Sequence, residues 1–163
     1  GRYRCIFYKG NDYESDPDAK IDGLNHPNNA PGLYLAPYVN TLLIVMNTFS
    51  VMQEKVIIPD IPLNKWVNVI LRCQGTTLDV YINGTIAKSH LLHGVPRQNY
   101  GNVYIGENGG FSGNISNLTY YNYALGTDAI TQIQTRGANT IMIGGEGGMD
   151  ITTPDYLSQR WYF

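Results

Sequence analysis

Asn83-Gly84 sits between two alternating runs, and this feature constrains the chain more than any other. Asn-Gly suits a type I′ turn, which needs φ > 0 at both central residues and joins two twisted antiparallel strands. Upstream, Thr77 to Ile82 puts Leu78, Val80 and Ile82 on one face; downstream, Thr85 to Ser89 continues the ladder. Similar short runs recur. Arg2 to Lys9 alternates through Tyr3, Cys5 and Phe7, and Trp66 to Cys73 through Val67, Val69 and Leu71. Leu33 to Leu35, Thr41 to Asn47, Gln53 to Ile58, Asn102 to Gly106, Asn114 to Tyr121 and Tyr156 to Phe163 also read as strands, with Pro37, Pro59 and Pro62 as ladder breakers. One helix is expected over residues 127–135. Thr127 would cap it, Asp128 sits in its first turn, Ile130 and Ile133 face inward, and Gly137 closes it. About ten short strands without crossover helices exclude a parallel α/β sheet and predict an all-β antiparallel β-sandwich with one short helix.

The 163 residues suit one domain, residues 1–163, with Gly144 to Gly148 as a Gly-rich linker to a final strand. Charged residues are 15% of the chain and the net charge is -2, so the electrostatic footprint of a nucleic-acid binder is missing. The longest apolar run, Leu42 to Met46, is strand-sized and far below the ~18 residues of a membrane span. The chain opens on Gly1-Arg2 and ends on Trp161-Tyr162-Phe163 inside expected strands, which predicts a processed product or part of a longer chain. Cys5 and Cys73 are either two buried thiols or one disulfide.

From Ile61 to Gly137 the residues carry a family pattern. The strings are PLNKWVNVILRCQGTTLDVYING and NVYIGENGGFSGNISNLTYYNYALGTDAITQIQTRG. Trp66 opens a strand and Tyr81-Ile82-Asn83-Gly84 closes a hairpin. Ile105-Gly106 and Gly110-Phe111-Ser112-Gly113 follow, and Tyr121 to Leu125 precedes a short helix. This ensemble, with IFYKG at residues 6–10 as an early strand, resembles the laminin-G-like, concanavalin A-like jelly-roll modules, which implies a β-sandwich of the jelly-roll type. Two departures stand out. The strands that usually precede the IFYKG-like one are missing, which implies a longer chain or completion by a neighbour. Ser116 and Asn117 occupy positions where many members carry an acidic pair, which argues against carrying over a calcium site. The tail, residues 154–163, resembles endings of such modules encoded by large double-stranded DNA viruses. The resemblance implies a non-catalytic binding or structural module. The preferred version is a virion-associated protein contacting other subunits. The alternative is a lectin-like carbohydrate binder, extracellular or at a cell surface.

The residues offer little catalytic chemistry. Glucanase-type sandwiches need carboxylates grouped as E-x-D-x-x-E on one strand, whereas Asp79 and Glu107 are single acids. The G-x-S-x-G elbow is broken at Gly110 to Gly113. His90 and His93, three apart at a strand end, are expected on opposite faces, and His26, His90 and His93 as solvated loop residues. No catalytic residue and no metal ligand is therefore assigned, and the ligand-binding residues stay unknown. Residues 10–32 read as one long loop. Its acids, Asp12, Glu14, Asp16, Asp18 and Asp22, offer the oxygens Ca²⁺ prefers, but Pro17 and Lys20 break the EF-hand pattern, so no cofactor is expected and a looser Ca²⁺ site in this turn-rich loop is the alternative. Gly144 to Gly148 lacks the Lys-Ser/Thr of a phosphate loop. The sequons at Asn83, Asn114 and Asn117 do not imply secretion: Asn83 has a turn to make, and Asn114 and Asn117 would face opposite ways on a strand. The 13 tyrosines, among them Tyr34, Tyr38, Tyr81, Tyr100, Tyr104, Tyr120, Tyr121 and Tyr123, are expected as half-buried strand residues or as sugar- and protein-facing surface.

Overall fold

The computed structural model describes residues 1–11 and 19–140, with residues 19 and 20 as backbone only. Among the described residues, eight strands and two helices follow in order: β1 (Arg4–Gly10), α1 (Ala19–Asp22), β2 (Asn29–Leu35), β3 (Leu42–Met46), β4 (Glu54–Ile58), β5 (Val69–Gln74), β6 (Thr77–Ile82), β7 (Thr85–Leu91), β8 (Asn102–Ile105) and α2 (Thr127–Arg136). They form a five-stranded sheet, β4-β3-β2-β1-β8, and a three-stranded sheet, β5-β6-β7. The fold class is the expected one: antiparallel β-sheets with one helix of useful length. The Gly-rich segment 144–148 and the strand expected at 156–163 lie outside the described residues.

The chain groups into two compact units. The first holds residues 1–61, 73–78 and 89–113. Its sheet is built on β3, where all of Leu42 to Met46 is buried, as suits a strand covered on both faces. Tyr34 lies opposite both Cys5 and Leu43, so the three share a face and pack with Val45. Simple alternation from Cys5 would send Phe7 to the same face. Instead the pairing slips between Cys5 and Phe7, and this bulge brings Tyr8 inward while Phe7 stays half-buried. Tyr8 stacks on Tyr104 of β8 at 5.1 Å between ring centres.

The segment expected as one loop, residues 10–32, is only partly loop. It carries α1 and the first four residues of β2, and it returns across the sheet to place Leu24 in the core with no exposed surface. Several of its polar groups are paired within it or with Tyr34, while the Asn25 Oδ1 is buried without a partner. Asn25 donates its backbone N–H to the Tyr34 hydroxyl (3.3 Å) and its amide to the Asn28 carbonyl (2.8 Å). Tyr34 donates to the Asn29 Oδ1 at 2.6 Å, and Asn29 donates to the Asn25 carbonyl. Gly10 closes this corner: a Cβ there would lie 2.0 Å from the Asn28 carbonyl oxygen, so only glycine fits.

Among the described residues, the second unit holds residues 62–72, 79–88 and 114–140. The Asn83-Gly84 turn forms as expected, with φ of 49° and 77°, and the Asn83 Oδ1 accepts the Asn68 N–H at 2.9 Å. Helix α2 buries Ile130 against Tyr81 and Leu125, with Ile70, Ala129 and Ile133 packed around them. Its N-cap is Gly126, not Thr127, and no side chain caps it. A second correction concerns residues 114–121, which are irregular and not a strand. Asn117 adopts φ 53°, incompatible with an extended ladder, and the Ser116 hydroxyl is spent on the Asn139 backbone. With no strand there, the opposite-face argument for Asn114 and Asn117 lapses; both are exposed.

The cysteines are free thiols, Cys5 buried and Cys73 half-buried. Burial pushes the Cys5 thiol up to about 11. Near pH ~8, where an ordinary thiol begins to ionise, iodoacetamide is expected to modify Cys73 and spare Cys5 until denaturant is added. Peptide mass spectrometry of the alkylated chain checks this, and equal native labelling of both would contradict it.

Candidate functional site

The first unit gathers three features around the chain between β3 and β4 and the segment after β7. The first is apolar. After β3 the chain turns tightly at Thr48, whose hydroxyl accepts the Val51 N–H at 2.9 Å. Phe49 donates its N–H to the Val95 carbonyl (3.0 Å), Thr48 bridges to Pro96, and Arg97 donates its N–H to the Asn47 carbonyl (2.8 Å). These backbone bonds fix two segments side by side and leave Phe49, Met52 and Val95 exposed. Phe49 is 74% exposed, and Leu91 at the end of β7 is 70% exposed. Large side chains held out by a rigid backbone form the kind of patch that monomers avoid and interfaces use.

The second feature is Glu54 with His90 and His93. Strand β4 alternates buried and exposed, and Glu54 falls on the inward face with Val56 and Ile58. Its Oε1 lies 2.7 Å from the His90 Nε2 and 2.8 Å from the His93 Nδ1, and its Oε2 accepts the His93 backbone N–H at 3.1 Å. Burial pushes the Glu54 carboxyl up, but the hydrogen bonds from His90 and His93 outweigh it and the net direction is down. The sequence-based expectation that His90 and His93 face opposite ways is therefore wrong. Strand β7 ends at Leu91, and alternation stops where the chain turns, so the two rings approach to 6.5 Å. No local motif marks Glu54 as their partner, because 36 residues separate it from His90.

The third feature is a polar cleft of about 230 Å³ lined by Asn11, Asn28, Asn47, Arg97, Asn99 and Tyr100 with their neighbours. Asn28 donates to the Asn11 side chain at 2.7 Å, Asn47 to the Pro27 carbonyl at 2.7 Å, and Asn99 to the Lys9 carbonyl at 2.8 Å. Tyr100 stands almost fully exposed at its rim. Planar amides with a free aromatic face suit hydrogen bonding and stacking on a sugar ring.

The remaining candidates are held by structural partners. Asp79 pairs with Arg72 at 2.9 Å, and Arg72 also donates to the Leu125 carbonyl at 2.9 Å. Glu107 is a half-buried acid after β8. His26 lies 3.1 Å from Asp22 and accepts at its Nδ1 from the Gln53 amide at 2.6 Å, so it is a half-buried loop anchor and not a solvated residue. The acids Asp12 to Asp18, on which a Ca²⁺ site would depend, lie outside the described residues. Tyr8, Tyr34 and Tyr81 are buried, whereas Tyr38, Tyr100, Tyr120 and Tyr123 are exposed. Among the described residues, no helix is long and apolar enough to cross a membrane.

Comparison with known proteins places this geometry. Residues 40–131, more than half of the chain, match the laminin-G-like family model of the concanavalin A-like lectin/glucanases superfamily. No curated protein matches the chain. A solved structure from Clostridium thermocellum, residues 221–444 of an S-layer domain-containing protein, is similar at 16% identity and a TM-score of 0.37. That match covers 82% of this chain and 63% of the other, a likeness too distant to carry an argument.

Proposed function

This chain belongs to the concanavalin A-like lectin/glucanases superfamily, and from that premise we propose that it is a non-catalytic binding module whose partner is another protein subunit of an assembly. Laminin-G-like domains bind proteins or glycans. The observation that carries the protein reading is the exposed cluster of Phe49, Met52 and Val95, held rigid by the Thr48–Val51 turn and the Phe49–Val95 bond. A preformed apolar surface loses little conformational freedom on docking, which favours a stable subunit contact. The acids support a non-catalytic role: Asp79 is held by Arg72 and Glu54 by two histidines. The resemblance of the tail to modules of large double-stranded DNA viruses makes the assembly a virion in this reading.

Native mass spectrometry of the source material, with gentle dissociation, tests the proposal. The chain is expected to leave only within a larger complex, and Phe49→Asp is expected to release it, because an unpaired carboxylate would be buried at the contact. A free monomer of 18.2 kDa in the native material would overturn it. The second reading, a lectin-like module at a surface or outside the cell, rests on the Tyr100 cleft. Glycan binding that is lost in Tyr100→Ala would favour it.

A further inference from the structure

The geometry points to a transition-metal site for Zn²⁺ on Glu54, His90 and His93. Two imidazole nitrogens and one carboxylate oxygen form a three-ligand set that Zn²⁺ accepts, with a fourth position left for water or an incoming ligand. Their ligand atoms all lie within 4.8 Å of one another. A tetrahedral ion with ligands at about 2.1 Å spaces them about 3.4 Å apart. The present Glu54 contacts of 2.7 Å and 2.8 Å need to open by only a fraction of an ångström, within reach of side-chain rotation.

Three further observations support a built site. The Glu54 side chain is only 5% exposed, and a buried carboxylate requires a cationic or strongly donating partner. Both rings aim at the same oxygen from two different backbone segments, the end of β7 and the turn after it. The backbone N–H of His93 holds the other oxygen, which fixes the plane of the carboxylate, the task an outer partner performs around a metal. The set also discriminates. Ca²⁺ wants six to eight oxygens and Mg²⁺ keeps its waters, so neither suits two imidazoles. His93 is largely exposed, which leaves the ion an entry path and its fourth position facing solvent. The site stands whichever partner the module binds.

The test uses the intact chain without a polyhistidine tag, stripped with EDTA and titrated with ZnCl₂ by calorimetry. One equivalent is expected to bind. His93→Gln, which keeps a side-chain donor and the backbone N–H toward Glu54, is expected to weaken binding by at least about 100-fold, the upper end of what loss of an outer-shell partner costs. His26→Gln, the remaining histidine, is expected to leave it unchanged, and CaCl₂ to give no saturable heat. CoCl₂ supplies a second readout, a visible absorption band that His93→Gln abolishes. Absence of saturable Zn²⁺ uptake would overturn the proposal. So would uptake that His93→Gln leaves intact, or that His26→Gln alone removes.

Discussion

Leu24→Ala is expected to lower the unfolding free energy by about 2–5 kcal/mol, the cost of emptying a fully buried leucine site. Leu24 lies in the segment between α1 and β2, where its neighbours are Gly23, Asn25, His26, Pro27 and Asn28 and sequence patterning sees a loop, and a loop leucine would tolerate truncation. In the structure it has no exposed surface and packs with Cys5, Tyr34, Leu43 and Val45 on one face of the five-stranded sheet. Urea unfolding of the wild type and the variant distinguishes the two cases. A change within about 0.5 kcal/mol, typical of surface positions, would mean that residues 19–28 do not cover the sheet.

Tyr34→Phe is the second large expected effect. The phenol has two jobs: it accepts the Asn25 N–H and donates to the Asn29 Oδ1. Asn25 and Asn29 are themselves almost fully buried, so water does not replace the lost hydroxyl. Each orphaned buried group costs about 1–3 kcal/mol, far more than the loss of one exposed hydrogen bond. Burial also pushes the Tyr34 phenol well above its ordinary value, so this phenol is expected to stay protonated in alkali until the fold opens. Urea unfolding measures the stability loss, and absorbance titration of the wild type follows the ionisation. A variant as stable as the wild type would refute the network.

The strands were legible where local rules sufficed. Asn83-Gly84 makes the turn that its φ preferences demand, and β6 has the expected bounds, Thr77–Ile82, although Asp79 and Tyr81 are buried beside Leu78 and Val80 and the burial does not alternate. The continuous apolar run Leu42 to Met46 is the fully buried strand. Helix α2 follows from Ile130 and Ile133, although its cap is Gly126. Legibility failed where a partner strand or a turn set the outcome. Tyr8 faces the core because of a slip in pairing with β2, not because of its parity with Cys5. Residues 114–121 carry strand-like residues yet lack a ladder, since β propensity reflects packing against neighbours more than backbone preference.

The candidate metal centre shows the same division. Three histidines are visible in the sequence, but Glu54 becomes the partner of two of them, His90 and His93, only when β4 and the end of β7 meet, and no periodicity spans that separation. The all-β class, the hairpin at residues 83–84 and the family pattern from Ile61 to Gly137 were written in the order of residues, because turn geometry and strand alternation act over a few neighbours. The burial of Leu24, the amide network around Tyr34, the convergence of His90 and His93 on Glu54 and the exposed Phe49 surface came from long-range pairing. Such contacts depend on which distant segments the sheet brings together, and a chain read in one dimension does not contain that distance.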